Sequence, residues 1–429
     1  MHNKTKLLIF ASLLLAACST DPMQEIPNRG DSAPEIETSG KICNTSDDAV
    51  AGSLIVKFGE EAIPSLEQNA LNAAKTRSAL TRSGIESVDD ILNDLHVTSL
   101  ERVFPEAGEH EARTRAAGLH RWYVLGFASE EDLDKAAERL AGVAEISKVQ
   151  FRTRLYRASD CKTYPFQATA NGQTRALVTA DFNDPNLFWQ WHYINNADQA
   201  VATTSVAGAD INVADAWKLT AGNPEVIVAI VDEGVKYTHP DLAANMWINP
   251  NPSPEYKNQD IHGWNFAADG PISWGQKGDS GHGTHVAGTV AAVNNNGIGV
   301  CGVAGGTGKG DGVRLMSCQI FSGDLTGDAL VSSRAVKYAA DHGASILQCS
   351  WGIKAGIYTS DNMFIKQSPM DYEALQYFAA QKNCEALDGG LIIFSAGNES
   401  TAMSGYPAGY RDYILSLIHI SEPTRRTPI

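Results

Sequence analysis

The 429 residues describe an α/β protein in two parts: a small α+β module with a split βαβ order, then a doubly wound parallel sheet. Two patterns carry this expectation. Over residues 51–157, strands of alternating polarity flank helices with one apolar face. From about residue 187, short unbroken apolar runs alternate with helical stretches, and unbroken hydrophobicity belongs to parallel strands covered on both faces.

The chain opens with Lys4 and Lys6, an apolar run from Leu7 to Leu15, and then Ala16-Ala17-Cys18. A charged start, a short apolar segment and small residues before a cleavage point make residues 1–17 an export signal. A cysteine directly after the small pair resembles the lipobox of bacterial lipoproteins, so Cys18 is expected to carry a lipid that ties the chain to a membrane of the cell envelope. The alternative is an ordinary secretory signal with a cysteine nearby, and both export the protein. Residues 18–50, rich in Ser, Thr, Asp, Pro and Glu, read as a flexible tether.

Within the module, "SLIVKF" (53–58) is β-branched and alternating, hence a strand. Residues 63–80 carry Ile63, Leu66, Ala70, Ala74 and Leu80 at near-helical spacing. "HRWYVLGF" (120–127) is a second strand. A helix follows from Ser129 as N-cap, with Leu133, Ala136 and Leu140 on one face. "EISKVQF" (145–151) closes as a third strand. In the second part, "VIVAIVD" (226–232), "RLMSCQI" (314–320), "SILQCS" (345–350) and "GLIIFSAGN" (390–398) are the parallel strands. Helices are expected over 329–343, ended by Gly343, and over 371–387.

A net charge of −16 leaves no basic surface for nucleic acid, and no apolar run is long enough to span a bilayer. Seven cysteines include Cys18; the other six permit disulfides, although Cys318 and Cys349 sit in strands where buried free thiols fit equally well. No C-x-x-C pair suggests a zinc site.

Ligands of doubly wound sheets bind outside the carboxyl ends of the strands. Asp232 ends one strand run, Asn398 follows another, and His282 heads the segment "HGTHVAGTVAAV". A carboxylate, an imidazole and an amide at one edge suit hydrolysis: the acid orients the base, the base takes a hydroxyl proton, and the amide stabilises an oxyanion. Each residue also has a plainer reading, as a turn, cap or packing residue. A zinc helix would space its histidines four apart with Glu after the first, whereas His282 and His285 are three apart and Gly283 follows.

"VAIVDEGVKYTHPDL" (228–242), "GHGTHVAGT" (281–289), "ILQCSWG" (346–352) and "FSAGN" (394–398) resemble, in order, the segments of the subtilisin-like serine peptidases. The resemblance covers about 190–415 and implies a subtilisin-like catalytic domain, incomplete here, over 186–415. It implies that Asp232 orients His282 as general base, that Asn398 donates to the oxyanion, and that His285 is a structural neighbour. Ser350, Trp351 and Gly352 would line the specificity pocket and pair with an extended peptide substrate, with Ser395, Ala396 and Gly397 as the facing wall. Asp241, with Asn296 or Asn295 beside it and the backbone of Ile298 and Val300, would hold a structural calcium, and Gln190 is a weaker candidate ligand. No catalytic cofactor is implied. The module 51–157 becomes a propeptide that inhibits the protease from within the same chain, and 158–185 becomes the processing linker.

Two departures stand out. Glu233 replaces the small residue usual after the acid and is read as tolerated variation. No Gly-Thr-Ser-Met-Ala-like segment supplies the nucleophile, and residues 416–429, with Pro423, Pro428 and paired arginines, read as a non-native tail. The expected function is therefore an exported serine endopeptidase whose nucleophile is missing from this chain. The alternative is a non-catalytic envelope lipoprotein that binds extended peptides in the same cleft.

Overall fold

The computed structural model describes residues 40–76, 78–128, 131–157, 182–197, 206–398, 405–412 and 414–416. Cys18, the export signal, most of the tether, Ser129 and most of the 158–185 linker lie outside them.

Strands β1 (Ala49–Phe58), β2 (Ser99–Arg102), β3 (Trp122–Gly126) and β4 (Ile146–Thr153) form an antiparallel sheet in the order β2-β3-β1-β4. Helices α1 (Ile63–Thr76), α2 (Glu86–Asp94), α3 (Glu111–Ala116) and α4 (Leu133–Ala141) connect them. The period of two in "SLIVKF" divides β1 between two cores. Leu54, Val56 and Phe58 pack with Leu66, Val88, Leu92 and Leu140 from the helices, while Ile55 joins Trp122 and Val124 in a core shared with the second part. Only the start of α1 is buried, at Ile63 and Leu66; Ala70 and Ala74 are exposed. Asp132 caps α4 by accepting from the Lys135 amide at 3.2 Å, nearer the helix than the expected Ser129.

A two-residue strand β5 (Tyr156–Arg157) follows. Strands β6 (Ile227–Glu233), β7 (Gly263–Asn265), β8 (Arg314–Phe321), β9 (Ile346–Cys349), β11 (Leu391–Phe394) and β12 (Ile414–Ser416) form a parallel sheet in the order β12-β11-β9-β6-β8-β7; β10 is Trp351–Gly352. From central β6 the chain fills one side with β7 and β8, then crosses to β9, β11 and β12. The order reverses at β6, which puts a switch point at the carboxyl end of that strand. β12 reaches Ser416, one residue into the stretch read as a tail.

The second part also contains α5 (Val213–Trp217), α6 (His282–Ala291), α7 (Ala329–Asp341), α8 (Asp361–Gln367) and α9 (Pro369–Ala379). Asp328 caps α7 through the amides of Leu330 and Val331; Gly343, at φ +85°, lets Ala344 bond back to the Ala339 carbonyl at 2.9 Å. Helix α9 stops well short of 387. Its last carbonyl, Ala379, takes the Gly390 amide at 3.0 Å as the chain turns into β11.

The face of the antiparallel sheet that α1, α2 and α4 leave open packs on α7 and α9. Lys57 pairs with Glu373 at 2.7 Å, Trp122 Nε1 donates to the same carboxylate at 2.7 Å, and Arg152 pairs with Asp328 at 2.6 Å. Cys43, Cys301, Cys318, Cys349 and Cys384 are free thiols, and Cys161 lies outside the described residues. Among the described residues no helix is long and apolar enough to cross a membrane.

Candidate active site

Continuous apolar pairing with β8 and β9 buries β6, so its last residues emerge at the switch point already fixed in direction. Asp232 is 2% exposed, and its Oδ1 accepts from His282 Nδ1 at 2.8 Å and from the Glu233 amide at 2.7 Å. His282 begins α6. Gly283 allows the approach: a Cβ there would lie 2.1 Å from the Glu233 carbonyl oxygen, so any side chain would push the helix off the strand. Burial, the largest influence on His282, favours the neutral ring. The hydrogen bond and charge of Asp232, with the charge of Glu233, outweigh it and raise the imidazole above its ordinary value. With Nδ1 donating to Asp232, Nε2 of the neutral ring is the proton acceptor. His285 lies toward the surface on the next turn.

Glu233 does more than the sequence reading allowed. It is 1% exposed, accepts from Ser280 N and Oγ and from the His282 amide at 3.0 Å, and pairs with Arg157 at 3.2 Å. A carboxylate on the first amide of α6 favours the helix dipole and fixes where His282 starts. The register slips between Asp232 and Glu233, so the two side chains do not simply alternate across the sheet.

All but one of the residues expected to bind peptide gather along one cleft. β5 pairs antiparallel with β10, Arg157 opposite Trp351 and Tyr156 opposite Gly352. Trp351, Gly352, Ser395 and Gly397 line the cleft with Tyr156 and Arg157. Trp351 contributes backbone; its buried indole packs on Phe394 at 4.9 Å. Ser350 is absent from the lining, and its hydroxyl accepts from Gln348 at 3.3 Å. Asn398 lies exposed beyond the carboxyl end of β11, on the edge where β6 delivers Asp232.

Residues 223–423 match the Subtilase family, Peptidase_S8. The chain carries a subtilase domain. It is 32% identical over 243 residues to neuroendocrine convertase 2 of Bos taurus, covering 54% of this chain and 34% of that protein. Kexin of Saccharomyces cerevisiae is 28% identical over 335 residues, 76% of this chain and 36% of that one. Fervidolysin from Fervidobacterium pennivorans, a keratinolytic enzyme related to subtilisin, matches in structure at a TM-score of 0.50 and 20% identity, over 86% of this chain and 43% of its own. That likeness is one of fold. The chain spans about a third of the length of these two curated relatives.

Against the 294–300 turn of the subtilase domain, Asp241 accepts from Asn296 Nδ2 at 2.7 Å and from the Val300 amide at 2.9 Å. Gln190 is not free for a metal, since its amide exchanges two hydrogen bonds of 2.8 Å with the backbone of Cys301. Asp184, which the sequence reading passed over, is 5% exposed; its Oδ2 takes the Asn295 amide and its Oδ1 has no partner among the described residues. Burial, then the charge of Asp184, raises the Asp241 carboxyl. Two buried carboxylates with an orphaned oxygen suit a hard cation. Among the described residues, no three His, Cys, Asp or Glu side chains gather as a metal site.

Proposed function

We propose that the subtilase domain is the N-terminal part of a serine endopeptidase that cleaves extended peptides. The observation that carries this reading is the Asp232–His282 hydrogen bond beside a cleft where backbone already pairs with Trp351 and Gly352. His282 Nε2 takes the proton of a serine from a segment that these 429 residues do not include. Asp232 holds the tautomer and stabilises the imidazolium, and Asn398 donates to the oxyanion. A module that only bound peptides would gain nothing from burying an acid against a base.

The module 51–157 acts as an inhibitor within the chain, its last strand lying where substrate would lie; the ion pairs to Glu373 and Asp328 support that docking. Calcium would be held by Asp184, Asp241, Asn296 and the backbone of Ile298 and Val300, where it would stiffen the 294–300 turn. Export on the 1–17 signal and lipidation at Cys18 complete the proposal.

The test is labelling by a fluorophosphonate probe of the protein expressed with its downstream sequence. Labelling that His282→Ala abolishes is expected. No labelling, or labelling indifferent to that substitution, overturns the reading.

A further inference from the structure

We infer that a cut in the 158–185 linker leaves the module on the membrane as a lipid-held inhibitor and sets the subtilase domain free of it. This deepens the proposed function and rests on its readings of Cys18 as lipidated and of residues 158–185 as the processing linker.

The observation that carries it lies at the end of the stretch read as a tether. Residues 41–43 run parallel to β4 and cover the edge that the sheet order leaves open there. The Cys43 amide donates to the Val149 carbonyl and the Val149 amide donates to the Lys41 carbonyl, each at 2.8 Å. Asn44 is 6% exposed and extends this ladder with its side chain. Its Nδ2 donates to the Phe151 carbonyl at 3.1 Å and to Thr153 Oγ1 at 3.0 Å, and its Oδ1 accepts from the Phe151 amide at 2.8 Å. Ile42 packs against the module core, and the Asp48 carbonyl takes the Arg154 amide at 3.1 Å. Among the described residues, the hydrogen bonds of 41–48 all end within the module.

The lipid is therefore joined to a chain that folds into the module's own sheet, whereas the subtilase domain follows only after the linker. Hydrolysis there adds water to one peptide bond, leaving a carboxylate on the module and a new amino terminus on the domain. What then holds the two together is the shared apolar core and ion pairs such as Lys57–Glu373 and Arg152–Asp328. The five described cysteines are free thiols, so no disulfide among the described residues replaces the severed bond. Salt screens ion pairs and leaves the burial of acyl chains intact. The inhibitor stays with the lipid, and the protease acts away from it.

The test uses the protein expressed with its signal and its downstream sequence. A site for an added sequence-specific protease is placed in the linker, so that the cut does not depend on activity. The chain is partitioned between Triton X-114 and a buffer of high salt. Uncut, it should enter the detergent, and Cys18→Ala should move it to the buffer. After the cut, the module should stay in the detergent while the subtilase domain passes to the buffer, more completely in Arg152→Ala. Trypsin should spare Lys41 in the parent, and Asn44→Ala should speed the appearance of an amino terminus at Ile42 by about 10- to 100-fold. A domain that stays in the detergent after the cut in Arg152→Ala, or a module that leaves with it, overturns the inference. So does a rate of cutting at Lys41 that Asn44→Ala leaves unchanged. An uncut chain found in the buffer overturns the lipid reading as well, and loss of fluorophosphonate labelling, which overturns the protease reading, changes none of these outcomes.

Discussion

Asp232 and His282 come from positions 50 apart in sequence to a 2.8 Å hydrogen bond, and the imidazole is raised as a result. Only the neutral ring accepts a proton, so a raised value moves the acid limb of a pH–rate profile upward. In the protein carrying its nucleophile, Asp232→Asn should move that limb to lower pH and reduce kcat by about 10⁴-fold, as loss of an orienting acid does in such triads. An unmoved limb would mean that the bond does not tune the base. Both residues were legible because they sit in "VAIVDEGVKYTHPDL" and "GHGTHVAGT", segments whose resemblance outweighs the turn, cap and packing readings that each residue has alone. Glu233 was not, because alternation says that neighbours on a strand face apart, and the register slip beside β8 breaks that rule. Asp184 was missed for a similar reason. Its tie to the 294–300 turn is tertiary, through the Asn295 amide, and leaves no local mark.

At the scale of elements, α6 and β6 are held in contact by one missing side chain. Gly283→Ala places a methyl 2.1 Å from the Glu233 carbonyl oxygen and must lift the helix. The expected loss is about 1–3 kcal/mol in denaturant unfolding, together with loss of fluorophosphonate reactivity. A variant of unchanged stability and reactivity would show that the contact is dispensable. The central strands could be read because burial on both faces leaves unbroken apolar runs such as "VIVAIVD". Short edge strands carry no such signal, and β2, four residues of mixed polarity, was not foreseen. The end of α9 was misplaced because "AAQKNCEAL" keeps helical character while Asn383 is drawn off to the carbonyls of Ala340 and Ala344.

For the whole molecule, the boundary between the antiparallel sheet and helices α7 and α9 is where sequence reading fell shortest. A lysine at the end of "SLIVKF" reads as solvated, yet Lys57 is buried against Glu373 and Trp122. Asp371 of α9 faces Gln150 of β4 across the same boundary at 3.0 Å, and burial, with the charge of Asp328, pushes its carboxyl up to about 7. An acid raised on folding stabilises the fold only while protonated. Its contribution therefore falls as pH rises from the ordinary carboxyl range to about 7, then levels. Asp371→Asn should remove that slope, so the gap in melting temperature between variant and parent should widen over this window; parallel profiles would contradict it. The account as a whole depends on the state of one ring. An imidazole ¹H–¹⁵N spectrum of the 429-residue chain, titrated with pH, reads it directly. The prediction is a proton on Nδ1 of His282, strongly deshielded by Asp232, with a pKa above that of an ordinary histidine and a downward shift in Asp232→Asn. A neutral ring carrying its proton on Nε2, or a titration indifferent to Asp232→Asn, would contradict it.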